Sequence, residues 1–329
     1  MELQIWMGRA GAGKSRRVLE TMQERRQRPQ ILLVPEHASH EAELDLCRAL
    51  GPTASRDAEV LSFRNLATRV LAQTGGLADV TLDAGGKLLT MRRALQEVSS
   101  RLTVFARPSQ RPAFLRQLVA LADELYAYQV TPEMLLAQVA DMEGAAGDKL
   151  RSAALIYGAY DAHLRGEGFD ARSRVQKLCD ALPESDYLMG KDVYIDGFSY
   201  FNRVEEDILE TALRQGNCLT VTLLGDESDP QLFQNALRQR DRLKRMAALL
   251  HARCEVETLV SKNDGPLGYL ERCFFDGEEP WQGEEPPIRL YQAETAFSEA
   301  EYVSACVRRL ARQGCRWRDI GVAARNMEV

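Results

Sequence analysis

Gly8-Arg9-Ala10-Gly11-Ala12-Gly13-Lys14-Ser15 is a complete G-x-x-x-x-G-K-[ST] string, and it follows the apolar run Leu3-Gln4-Ile5-Trp6-Met7. The context decides the reading. Such a loop works where a buried strand ends, glycines let backbone N–H groups curl around phosphate oxygens, and a helix points its positive end at the anion. Here the helix is legible from Lys14-Ser15-Arg16-Arg17-Val18-Leu19 onward. In this reading Gly8, Gly11 and Gly13 shape the cradle, Lys14 reaches the β and γ phosphates, and the Ser15 hydroxyl ligates Mg²⁺. ATP with Mg²⁺ is the expected ligand. A strand, loop and helix in this order make an α/β, P-loop fold with a parallel sheet the expected class.

Composition bounds the rest. With 329 residues, 45% of them hydrophobic, the chain can bury a large core and is expected to form more than one unit. A net charge of -6 rules out holding nucleic acid by bulk charge, so any such site must be local. The seven cysteines are scattered without a C-x-x-C pair, which reads as reduced thiols rather than a zinc ribbon or cluster site. No basic-then-apolar leader and no long apolar run is present. The sequence therefore predicts a cytoplasmic protein without a membrane partner.

Past the first helix, Arg25-Arg26-Gln27-Arg28-Pro29 leads into Gln30-Ile31-Leu32-Leu33-Val34-Pro35, a short apolar run that reads as a buried parallel strand. Two similar runs lie far downstream, at residues 191–196 and 218–226. From Asp83 to Leu182 the apolar residues instead recur at helical spacing, as in Leu115, Leu118, Leu121 and Leu125. A helical block thus interrupts the sheet domain. The acidic, proline- and glycine-rich stretch at 276–287 reads as a linker. Beyond it residues 288–291 and 319–324 are expected as strands flanking an amphipathic helix at 299–313. The predicted division is 1–80 for the first part of the sheet domain, 81–190 for the insert and 191–275 for the remainder. Residues 276–329 are then a linker and the start of a second, truncated domain, so the chain reads as the front of a longer protein.

In P-loop ATPases of the helicase kind, an Asp at a neighbouring strand end holds Mg²⁺ and a following Glu orients the attacking water. Asp196 takes the first position, as a second metal ligand beside Ser15, but its neighbour is Gly197. Glu205 or Glu206 in the next helix is the remaining source of a carboxylate. The pattern reads as a weakened or lost hydrolase; the plainer alternative is that Asp196 caps a turn or helix. Asp226, ending the next strand, reads either as a γ-phosphate sensor or as a turn residue. Aromatic and basic residues on strand-tip loops suit single-stranded nucleic acid, since bases stack on rings and phosphates pair with Arg. Ser62-Phe63-Arg64 in one loop and Phe198-Ser199-Tyr200-Phe201-Asn202-Arg203 in another are the candidates, Phe63, Arg64 and Phe201 foremost, with burial in the core as the competing role of Phe63 and Phe198. His37 and His40 make a weak metal signal and read as polar loop contacts, while Arg92 and Arg93 read as a solvated face.

Taken together, residues 8–15, 32–36, 60–67, 82–87, 149–160 and 193–198 resemble one family, the B subunit of the AddAB (RexAB) type ATP-dependent helicase-nuclease. The resemblance implies a RecA-like, superfamily 1 helicase-type body with an inserted all-helical subdomain, followed by the start of a second motor domain. It implies a heterodimer with an A subunit that supplies the working motor, acting on double- and single-stranded DNA in double-strand break repair and recombination. The family's nuclease domain and iron-sulfur cysteines lie beyond the last residue here. It further implies that the B subunit reads a short single-stranded hotspot, through loops matching His37, Ser39, Phe63, Arg64 and Phe201. Asn65 and Thr68 stand where the family can carry an Arg and a Trp, so the DNA sequence read is left open. Whether the chain is an enzyme is left open too. One reading is an ATP- and DNA-binding recognition subunit with little motor activity; the other is an active P-loop ATPase, helicase or small-molecule kinase.

Overall fold

The structure, a computed structural model, describes residues 1–51, 53–76, 82–102, 104–105, 111–140, 142–166, 174–260, 265–274, 280–284 and 288–325. The chain divides into two compact units, Met1–Lys262 and Asn263–Val329. The first carries a six-stranded sheet of β1 (Glu2–Gly8), β2 (Gln30–Leu33), β3 (Ala58–Leu61), β4 (Asp192–Ile195), β5 (Cys218–Leu224) and β6 (Arg253–Thr258). Their order across the sheet is β3-β2-β4-β5-β1-β6, and every pairing is parallel. The fold is α/β, as the opening motif predicts.

Helices of this unit are α1 (Lys14–Glu24), α2 (Ser39–Leu50), α3 (Ala54–Asp57), α4 (Phe63–Thr74), α5 (Ala84–Val98), α6 (Pro112–Ala127) and α7 (Pro132–Val139). They continue as α8 (Gly144–Gly166), α9 (Arg174–Ala181), α10 (Arg203–Gln215) and α11 (Gln234–Leu249). Both sheet faces are covered, which is why β1, β2, β4 and β5 read as nearly unbroken apolar runs. One face packs Leu3, Ile5, Met7, Ile31, Val193 and Val221 among residues of α4, α9, α10 and α11. The other packs Trp6, Leu32 and Tyr194 against Val18 and Met22 of α1 and Leu46 of α2.

Between α4 and β4 the chain leaves the sheet and builds a separate helical core from Met91, Leu95, Leu118, Ile156, Tyr157 and Tyr160. The buried residues of this core come from α5, α6 and α8 and the Leu102 that follows α5. Leu178 of α9 and the following Leu182, Tyr187 and Leu188 join the sheet core instead. The second unit holds α12 (Pro266–Cys273) and α13 (Ala296–Arg312), the latter started by a capping box between Thr295 and Ser298. The strands expected at 288–291 and 319–324 do not form: Leu290 is fully exposed, and Trp317–Asp319 winds into a single 3₁₀ turn. A strand needs a paired neighbour, and among the described residues of this unit neither segment has one.

Candidate nucleotide and nucleic-acid site

Because all strands run in parallel, their carboxyl ends share one edge of the sheet, the edge where open α/β sheets bind ligands. At the end of β1 the chain turns through Gly11 at φ +73° and Gly13 at φ +87°, conformations that cost nothing only without a Cβ. Gly8 is required for a different reason. A Cβ there would lie 2.7 Å from the Leu259 carbonyl oxygen and 2.9 Å from the Ala12 Cβ. Gly13 leads into α1 without a side-chain cap, and no acidic residue stands in the first turn. The helix end therefore keeps its positive field for an anion. Lys14 lies at its start, its Nζ donating to the carbonyls of Gly8 at 2.7 Å and Arg9 at 2.8 Å, while Ser15 is exposed. The cradle, a cation within it and an exposed hydroxyl suit a nucleotide polyphosphate with its metal.

Asp196 follows directly on β4. Its backbone N–H donates to the Leu33 carbonyl at 3.0 Å, and Thr222 of β5 donates its hydroxyl to the carboxylate. Thr222 is in register with Trp6 of β1, so Asp196 stands on the sheet face that α1 covers. It is not a helix cap. Asn202 caps α10, accepting from the Glu205 N–H at 2.9 Å, while Glu205 accepts from the Asn202 N–H at 2.9 Å. Gly197 turns through φ +83°, so any side chain placed there would be strained as well as redirected.

Four carboxylates that follow β4 and β5 are engaged. Glu205 is held in the capping box, and burial pushes its pKa up. Glu206 accepts from Gln239 at 3.2 Å and from Arg242 at 3.1 Å. Glu227 pairs with Arg240. Asp226 pairs with Arg9 at 2.7 Å. Partial burial opposes ionisation of Asp226, but the Ser228 N–H and Arg9 outweigh it and hold the pKa below the ordinary carboxylate value.

The expected DNA-reading residues divide. Ser62 ties the tips of β3 and β2 together: its Oγ accepts from the Asn65 N–H at 3.2 Å and donates to Glu36 at 3.2 Å. His37 and Arg64 are exposed on these adjoining tips, and half-buried Ser39 donates to the Pro35 carbonyl at 3.4 Å. The rings of Phe63 and Phe201 are only 5% and 3% exposed. Phe198 lies between them, with centroids 5.2 Å from Phe63 and 5.5 Å from Phe201. Neither Phe63 nor Phe201 offers a face to a base, because the apolar contacts of this trio form part of the sheet core.

The exposed ring of that loop is Tyr200, 65% exposed. It borders a cleft of about 630 Å³ together with Tyr128, Phe233, Arg238, Gln239 and Arg242, and Phe201 contributes to the wall. Tyr128 comes from the insert, which Gln129 anchors to Asp207 of α10 at 3.2 Å. Sequence reasoning missed Tyr128, Phe233 and the arginines because they are far apart in the chain. Tyr200 lies within the candidate stretch 198–203, and the choice among its rings follows a simple rule: beside two phenylalanines, the ring with a hydroxyl suits the wet position.

Residues 5–270 match the family model described as ADDB, N-terminal. The chain belongs to that family. Over 99% of its length it is 33% identical to the B subunit of the ATP-dependent helicase/deoxyribonuclease of Desulforudis audaxviator. Proteins of the same description from Moorella thermoacetica and Geobacillus thermodenitrificans are 31% and 30% identical over all of the chain. The chain spans about 30% of the length of these relatives. Among the described residues no group of three or more His, Cys, Asp or Glu side chains is arranged for a metal, and no helix is long and apolar enough to cross a membrane.

Proposed function

We propose that this chain is the nucleotide-binding, single-stranded-DNA-reading front portion of a helicase/deoxyribonuclease B subunit, acting in the cytoplasm beside an A-type motor subunit in DNA break repair. Its own part is recognition rather than propulsion. The observation that carries this reading is the contrast between an intact glycine loop and Asp196 followed by a left-handed Gly197. Gly8, Gly11, Gly13 and Lys14 would hold the phosphates of ATP, with Ser15 and Asp196 as metal ligands. Bound Mg²⁺ would supply charge neutralisation between the phosphates. Glu205, Glu206, Asp226 and Glu227, the carboxylates that follow β4 and β5 among the described residues, are committed to other partners rather than to a water.

The DNA part of the reading rests on the strand tips. Tyr200, Tyr128 and Phe233 offer rings for bases, Arg238 and Arg242 offer cations for the backbone, and His37, Ser39 and Arg64 extend the track across β2 and β3. Two titrations test it. ATP with Mg²⁺ should bind the purified chain, and Lys14→Ala should weaken it by about an order of magnitude or more through loss of a charge-assisted phosphate contact. A labelled single-stranded oligonucleotide should bind, and Tyr200→Ala should cost about 1–3 kcal/mol of that affinity. Unchanged nucleotide affinity in the first variant, or unchanged DNA affinity in the second, contradicts the corresponding half.

A further inference from the structure

Helix α11 carries five basic side chains, Arg238, Arg240, Arg242, Lys244 and Arg245, and one acidic one, Asp241, in a chain whose net charge is -6. Its buried residues Ala236, Gln239, Leu243 and Ala247 form the face that packs inward. Arg238, Arg242 and Arg245 follow the i, i+4, i+7 spacing, which on an α-helix confines them to one outward stripe about 60° wide. The acids around the stripe are already matched. Arg240 pairs with Glu227 and Asp241, and on the adjoining α10 Glu206 takes Arg242 at 3.1 Å, Asp207 takes Arg203 at 3.1 Å and Glu210 takes Arg214 at 2.7 Å. Arg238 and Arg245 are exposed, and among the described residues neither forms an ion pair; Arg245 donates its Nε to the Asp241 carbonyl at 3.3 Å. Two cations are left over.

The stripe begins in the aromatic cleft, which Arg238 and Arg242 line, and leaves it at Arg245, about one turn further on. Because α11 connects the parallel strands β5 and β6, it runs back from the carboxyl edge of the sheet towards the amino edge. We propose that the stripe holds the phosphates of single-stranded DNA as it leaves the cleft, so that the strand turns off the strand tips and follows α11 down the side of the sheet domain, with Arg245 as its first contact outside the cleft. This rests on the functional reading above and extends its site. Rings in the cleft give bases a surface to stack on, while guanidinium groups follow the backbone whatever the sequence. On a chain that is acidic overall, a surplus of cations confined to one exposed stripe complements a polyanion.

The experiment is fluorescence anisotropy of labelled single-stranded oligonucleotides of about 4 and about 16 nucleotides, the span of site sizes for single-strand grooves, on the purified chain over a salt series. Gln matches Arg in helix propensity, so Arg245→Gln should fold as wild type does. We expect the longer oligonucleotide to bind more tightly and with a steeper salt dependence than the shorter. Arg245→Gln should flatten the slope of log affinity against log salt by about 0.7 for the longer oligonucleotide and leave the shorter one unchanged, whereas Arg238→Gln should flatten it for both. Arg48→Gln, which removes an exposed cation of α2, should alter neither slope. Equal slopes for the two lengths, or a long-oligonucleotide slope that Arg245→Gln leaves as it was, overturns the proposal while leaving the functional reading intact. So does an equal flattening by Arg48→Gln, which reduces the effect to net charge. Wild-type chain that binds neither oligonucleotide overturns the functional reading and the track with it.

Discussion

The tips of β1 and β4 lie on the same edge of one sheet, yet they are built from opposite materials. The β1 tip is polar and open: two left-handed glycines, a lysine folded onto backbone carbonyls and an exposed serine. The β4 tip carries one Asp bound by Thr222, then a glycine turn and Phe198 seated between Phe63 and Phe201. On the function proposed here the first would hold phosphate. The second would offer one metal ligand, Asp196, beside an apolar trio that supplies no carboxylate. Binding a nucleotide and hydrolysing it use different residues, so one capacity can persist without the other.

The largest expected effect probes the trio. Phe63→Ala should lower stability by about 3–5 kcal/mol, the usual loss for a buried Phe, read as a fall in denaturation midpoint. ATP affinity measured on the folded protein at low temperature should stay near wild type. A stable variant that loses only DNA affinity would instead make Phe63 a stacking ring. A parallel fall in ATP affinity would show that the two tips do not act separately.

Gly197→Ala comes next, with an expected loss of about 1–2 kcal/mol because the backbone there is left-handed. Gly197→Glu should carry at least the same loss and still give no ATP turnover, since the turn sends the side chain away from an extended β4 path. Gain of turnover in Gly197→Glu would mean that a single missing carboxylate is the whole difference between the tips.

The smallest effect concerns the opposite end of β4. Asp192 is 1% exposed, neither of its oxygens has a hydrogen-bond partner, and Arg28 stands 3.8 Å away. Burial raises its pKa despite Arg25 and Arg28, so the folded chain holds the proton more tightly than the unfolded one. Its favourable contribution is therefore present at acid pH and lost as pH rises through the folded-state value. Asp192→Asn should raise stability at neutral pH, by less than the Gly197 effect, with the gain vanishing below the ordinary carboxylate value. A gain that grows in acid would reverse the sign of this account.

Much of this was legible in the chain itself. β1, the glycine loop, β2, β4 and β5 are apolar runs closed by Gly, Pro or Asp, and burial on both faces forces that composition. β3 was hidden by its composition, since Glu59 interrupts Ala58-Glu59-Val60-Leu61 and leaves no apolar run, and β6 by its exposure as an edge strand, where only Cys254 and Val256 alternate with polar residues. The glycine loop was readable because its parts are contiguous. The ring facing solvent was not: Phe198, Tyr200 and Phe201 lie within four positions, and only packing against Phe63 decides which turn inward. The cleft assembles Tyr128, Tyr200 and Phe233 from three separate segments, a placement that no local pattern carries.

The central claim is that this chain holds ATP without consuming it. The direct test is steady-state hydrolysis by the purified chain at saturating ATP and Mg²⁺, with and without single-stranded DNA. The account predicts turnover far below about 1 per second, the low end of ordinary phosphoryl-transfer enzymes, with no stimulation by DNA. DNA-stimulated turnover at or above about that rate, abolished by Lys14→Ala, would contradict it and make the chain an active P-loop enzyme.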